Sequence, residues 1–141
     1  MVEPPSHTGP ADKLIVSLQE RAKELNCLYE VEQILARLEL PLAEAFQQVV
    51  EVIPPGWQYP DICRAMIEYG EEVFTNEEFR PTPWVQLSDI VVQDDVVGRL
   101  SVWYAEERPT EDIGPFLKEE ERLIGTIAER LGHSILFHRM Y

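Results

Sequence analysis

At 141 residues, 45% hydrophobic and 27% charged, the chain is long enough for one domain with a substantial core and is not composed like a disordered segment. Twelve basic residues stand against 26 acidic ones, a net charge of −14, which repels nucleic acid and anionic membrane and reads as a solvated surface. No apolar run reaches the ~20 residues of a membrane span, so no membrane insertion is expected.

Residues 1–10 lack a basic stretch followed by an apolar one, so they read as a flexible tail and not a signal peptide. A single domain is expected over 11–141. Its first helix is predicted over 11–38, opening after Pro10 and unable to continue through Pro41. Ile15, Ala22, Tyr29 and Ala36 recur every seven residues, with Leu18, Leu25 and Glu32 between them. This is a coiled-coil seam broken once, by Glu32. The first half carries only the seam and Leu14. The second half adds Leu28, Val31, Ile34, Leu35 and Leu38 and is apolar nearly all round, asking for cover from its own domain and from a partner. At ~1.5 Å per residue the helix is about 40 Å long, against roughly 35 Å for a compact domain. One end must overhang, and a second copy is the expected cover.

A second helix is predicted over 42–53, where Leu42, Ala45, Phe46, Val49, Val50 and Ile53 form one apolar face suited to a sheet. The stretch Pro54-Pro55-Gly56-Trp57-Gln58-Tyr59-Pro60 is a stiff elbow, with Trp57 and Tyr59 as its apolar plugs. An antiparallel sheet is expected over 62–105. Its first strand, 62–69, turns at Gly70 into a second, 71–75. After a short polar loop, 76–83, a third strand runs over 84–92, its polarity interrupted at Ser88 and Asp89. Gln93-Asp94-Asp95 turns into the last strand, 96–105, the most apolar and the expected centre.

The closing helix is predicted over 116–139. Glu119, Glu120 and Glu121 suit the positive end of its dipole, and His138 and Arg139 suit the other end. Its apolar stripe, which includes Ile124, Leu131 and Ile135, is wide enough to face the sheet and a partner helix together. The sequence thus predicts an α+β fold, with an antiparallel sheet of four to five strands and long N- and C-terminal helices side by side on one face.

Chemistry is sparse. Glycines are scattered, with no phosphate loop, and no nucleophilic or acid–base constellation appears, so no catalytic residues are assigned. Cys27 and Cys63 are expected as buried free thiols in a cytoplasmic protein. His133 and His138 are five apart, poorly placed as a metal pair, and no metal or cofactor is expected. His133 is followed by Ser134 where a phosphoacceptor histidine would have an acid, and it reads as a surface residue. The best small-molecule candidate is the polar sheet face, Arg64, Arg99, Ser101 and Trp103 with Trp84 near, where two arginines beside two indoles could hold a planar or anionic ligand. The ordinary reading of that face is solvent-exposed arginine stacked on tryptophan.

Four motifs stand in order along the chain: Glu20-Arg21-Ala22-Lys23-Glu24-Leu25-Asn26-Cys27-Leu28-Tyr29, the elbow, Val97-Gly98 with Val102-Trp103-Tyr104, and Gly114-Pro115-Phe116-Leu117-Lys118-Glu119-Glu120. Together they resemble a GAF-like sensory module of bacterial signalling proteins, of the version found ahead of histidine-kinase cores or phosphoenolpyruvate-synthase-like domains. The resemblance spans about residues 18–136. It implies a regulatory, non-catalytic role and a dimer formed through the terminal helices, with an output domain downstream. On that reading Ile15, Leu18, Ala22, Leu25, Tyr29, Ile124, Leu131 and Ile135 are the dimerisation candidates. The alternative is a module binding a small anion or metabolite on the polar sheet face.

Overall fold

A computed structural model describes residues 9–78 and 80–141, so the expected tail over 1–10 lies almost wholly outside the described residues. The chain runs α1 (Pro10–Leu35), α2 (Leu42–Val52), β1 (Cys63–Tyr69), β2 (Glu72–Thr75), β3 (Val85–Val92), β4 (Asp95–Tyr104) and α3 (Lys118–Met140). The elbow over 54–62 is two single turns of 3-10 helix, Pro54–Gly56 and Pro60–Ile62, each opened by proline.

The four strands form one antiparallel sheet in the order β2-β1-β4-β3, with β1 and β4 central. Both hairpins close through two residues in the left-handed region or beside it. Gly70 takes φ +61° between Tyr69 and Glu72, and Gln93 and Asp94 take φ +48° and +70° between Val92 and Asp95. Two successive positive φ values match the twist of the flanking strands. A register shift beside Ile90 and Val91 makes room for one extra residue on β4.

One sheet face is buried. Cys63, Ala65 and Ile67 of β1 stand directly opposite Tyr104, Val102 and Leu100 of β4, and all six are fully enclosed. α2 covers the β1–β2 side with Ala45, Phe46, Val49 and Val50, and Phe46 meets the Tyr69 and Phe74 rings edge-on. α3 covers β3 and β4 so closely that the backbone of Gly132 sits against the Val91 carbonyl, where a methyl group would have no room. α1 lies outside these two helices, against α2, α3 and the elbow. It is alongside α3, as expected, but forms a further layer instead of sharing the sheet face. It also ends at Leu35, short of 38. The Ala36, Arg37 and Leu40 amides close tight turns that bring Leu40 into the core before Pro41.

The break in polarity along β3 has a partner in the elbow. Gln86 faces the core, 7% exposed, and its side-chain oxygen accepts from the indole N–H of fully buried Trp57 at 2.9 Å. Tyr59, the second expected plug, is half-buried and meets Tyr104 edge-on, and Tyr104 stacks on Phe116 at 4.7 Å. Asn76 pins the far end of the β1–β2 hairpin by accepting from the Ala65 N–H at 2.7 Å. His138 holds the end of α3, its two ring nitrogens facing the carbonyls of Ser134 and Leu40.

Candidate functional site

α1 is amphipathic twice over. Its buried residues, Glu24, Cys27, Val31 and Ile34, form the inward stripe. At ~100° per residue, the seam Ile15, Leu18, Ala22, Leu25 and Tyr29 lies about 180° round the helix from that stripe. Its large members remain more than half exposed: Ile15 52%, Leu18 58%, Leu25 54% and Tyr29 59%, with Leu14 beside them at 60%. Ala22 is exposed as well. Single exposed apolar residues are ordinary on a protein surface; a contiguous stripe of this length is not.

The charges on this surface are arranged consistently. Between Leu14 and Tyr29 the seam and its flanking Gln19, Arg21 and Asn26 include no carboxylate, on a chain carrying 26 of them. Glu32, the residue that breaks the heptad, pairs with Arg130 of α3 at 2.6 Å. The two helices run in the same direction, Glu24 lying near Arg122 and Glu32 near Arg130. A groove of about 560 Å³ lies where the overhanging half of α1 passes the start of α3, with Val16, Leu18 and Leu117 among its walls. Glu24 lines it at the inner end, its carboxyl held above the usual carboxylate range by burial, with Arg21 pulling the other way.

Of the expected dimerisation residues, the five on α1 are therefore on the surface together. The three on α3 are not: Ile124, Leu131 and Ile135 are 2%, 0% and 0% exposed and belong to the protomer's own core. The α3 stripe is wide because the helix lies flat on β3 and β4 with α1 at its flank, and that packing uses all of it.

The expected ligand residues disperse. Arg64 and Trp103 face each other across β1 and β4, while Arg99 is opposite Glu68, four residues along β4 and about 13 Å from Trp103. The Arg64 guanidinium donates to the carbonyls of Asp61 and Cys63 and pairs with Glu77 at 3.4 Å. Arg99 pairs with Asp89 at 3.6 Å. Ser101 is 1% exposed and accepts from the Trp103 indole N–H at 2.9 Å. Trp84 precedes β3 opposite Tyr104, which turns it to the core face, away from the others. The cavity of about 410 Å³ on this open face has Glu77 and Glu78 as its charged walls among the described residues, the wrong sign for an anion.

One feature of the site was not singled out in the sequence. Glu120 is 1% exposed, and its carboxylate accepts from the Leu117 N–H at 2.8 Å and from the Gln58 N–H at 2.7 Å. It therefore starts α3, where Leu117 has no capping side chain, and ties that start to the elbow. Burial pushes its carboxyl up to about 7, with Glu20 adding to the shift and the two N–H donors and Lys23 opposing it. Its signal in the sequence is its place: it stands four residues before Ile124, in line with Ile127 and Leu131 of the inward stripe.

Among the described residues no cluster of three or more His, Cys, Asp or Glu could hold a metal ion, and no helix is long and apolar enough to cross a membrane. Cys27 and Cys63 are buried free thiols, and burial pushes Cys27 up to about 12 and Cys63 further. Such thiols are poor nucleophiles. Compared with protein-family models and with curated proteins, the chain matches none.

Proposed function

We propose that this chain is a non-catalytic regulatory module of the GAF-like kind, cytoplasmic in setting, that self-associates through the outward face of α1. The signal would be a small rotation or shift of the paired helices, passed to an output domain such as a histidine-kinase or phosphoenolpyruvate-synthase-like core. Packed helix interfaces have discrete arrangements, so a small displacement switches between them. The observation that carries the reading is the second apolar stripe of α1, about 180° from the one the protomer already uses.

Charge permits a second copy at this face and opposes one elsewhere. Two chains of net −14 repel, and a seam without carboxylates is where they can meet at least cost. The element order, helix–helix–four strands–helix, with all helices on one side of the sheet, also agrees with the resemblance in sequence. The sheet face carries no second reading, because its arginines are separated and each is already paired with an acid.

The test is a variant carrying both Leu18→Glu and Leu25→Glu. Each lost side chain is about half exposed, worth about 1 kcal/mol, and in a symmetric dimer it is lost twice. Two substitutions then cost about 4 kcal/mol before the charges are counted, roughly a thousandfold in dissociation constant. A control, Val96→Glu, changes an equally exposed residue on the sheet. Association unchanged by the α1 pair, or weakened equally by the control, defeats the proposal.

A further inference from the structure

We infer that Glu120 is a proton-operated latch between the elbow and the first turn of α3, and that its state is communicated to α1. The geometry has two defined arrangements. In the ionised one, the carboxylate accepts from the backbone N–H groups of two separate elements, Leu117 and Gln58, at 2.8 and 2.7 Å. When the carboxylate takes up a proton, one oxygen becomes a poorer acceptor and acquires a hydrogen of its own to place. An acceptor stands unused at the same residue that the latch holds: the Gln58 side-chain oxygen is buried with no hydrogen-bond partner among the described residues. The Tyr104 hydroxyl lies in the same nest, against the Gln58 and Tyr59 backbone. Proton uptake therefore weakens the bond from the Gln58 backbone and supplies a donor for the Gln58 side-chain oxygen, and the elbow shifts as one replaces the other.

The groups facing Glu120 are few. Glu20 and Lys23 approach from α1, where they pair with each other at 3.3 Å, Cys63 from β1 and Tyr104 from β4. None is a cation free to fix the carboxylate in its charged form. Burial brings its proton equilibrium up to about 7, into the range a cell can vary.

The route onward is short. Gln58 follows Trp57, whose indole is bonded to Gln86, and Gly56, which lies so close to α1 that a side-chain carbon there would come within 2.6 Å of Cys27 Cβ. The Cys27 thiol in turn faces the carbonyls of Val52 and Ile53. A displaced elbow has no slack against α1. The latch needs no dimer to operate, so its test and that of the association stand apart.

The experiment is an NMR titration of the intact chain between pH 5.5 and 8.5. It follows the Glu120 carboxyl carbon, the Gln58 and Leu117 amides, the Trp57 indole N–H and the Cys27 amide. The expected result is one common midpoint near neutrality at all five, with the Gln58 and Leu117 amide protons moving upfield as pH falls. Glu120→Gln removes that midpoint from the four remaining probes. A Glu120 carboxyl carbon titrating near 4.5 overturns the inference in the wild-type protein alone, whether or not the variant folds. So does a carboxyl that titrates near neutrality while the Trp57 indole and Cys27 amide stay still, because the proton would then be held without being communicated.

Discussion

Two glycines of α3 should respond in opposite ways to the same added methyl group. Gly132 faces β3, and a Cβ there would be driven into the Val91 carbonyl oxygen, an atom fixed in the sheet. Ordinary carbon–oxygen contacts are no closer than ~3.3 Å, so the helix would have to lift off the strand by on the order of 1 Å. Overpacking of this kind costs about 1–3 kcal/mol, and a rigid backbone neighbour puts this case toward the upper end. Alanine recovers about 1 kcal/mol of helix propensity, so Gly132→Ala should destabilise by about 2 kcal/mol. At Gly125 nothing among the described residues lies within 4 Å of the same position. Gly125→Ala keeps only the propensity gain and should stabilise by up to about 1 kcal/mol. Urea unfolding at one fixed protein concentration, followed by tryptophan emission, reads both. The two midpoints should bracket the wild type, about 3 kcal/mol apart in all. Equal stabilisation by both substitutions would refute the close seating of α3 on β3.

Stability should also carry a pH signature from Glu120. The unfolded chain releases this proton near 4.5 and the folded chain near 7, so between those values the folded state holds more protons. Stability from this group is therefore present at the acid end and lost as pH rises from about 4.5 to about 7, by about 3 kcal/mol at 1.36 kcal/mol per unit. The difference in unfolding free energy between wild type and Glu120→Gln should change by that amount across the window, and a flat difference would contradict the buried placement. Trp57→Phe deletes the bond to Gln86, whose amide nitrogen already has no partner among the described residues, and should cost about 2 kcal/mol by leaving the whole amide unpaired in the core. In the native state Cys27 and Cys63 should resist a thiol reagent at pH 8 and react only at the rate of unfolding; labelling of either within the mixing time would show that it is accessible.

The layout of the chain was legible because its punctuation is strong. Pro10, Pro41 and the prolines of the elbow bound α1, α2 and the start of the sheet, and Gly70 and Gln93-Asp94 mark both hairpins within a residue or two. The outward seam of α1 was legible too, because a seven-residue spacing fixes a helix face without knowledge of its neighbours. What was not legible depended on register and on which side of an element is covered. Ile124, Leu131 and Ile135 were expected to serve a partner helix, but breadth of stripe does not say how many neighbours share it, and here β3, β4 and α1 take it all. Arg64 and Arg99 share a face, as strand alternation predicts, yet the pairing of Arg64 with Trp103 and of Arg99 with Glu68 sets them at different ends of it. Trp84 was expected near Trp103, but it stands opposite Tyr104, whose neighbours across the sheet face the core, and so it lies on the other face. The three glutamates opening α3 were read as one dipole-matched run; Glu120 differs because helical periodicity turns it inward under the elbow.

Sedimentation equilibrium across micromolar concentrations addresses the outward face of α1 most directly. The account predicts a mass of twice the 16.3 kDa chain, falling to one chain when Leu18 and Leu25 are both replaced by glutamate. A single-chain mass for the wild type at tens of micromolar would mean that the exposed seam has no partner in a second copy, and would contradict it.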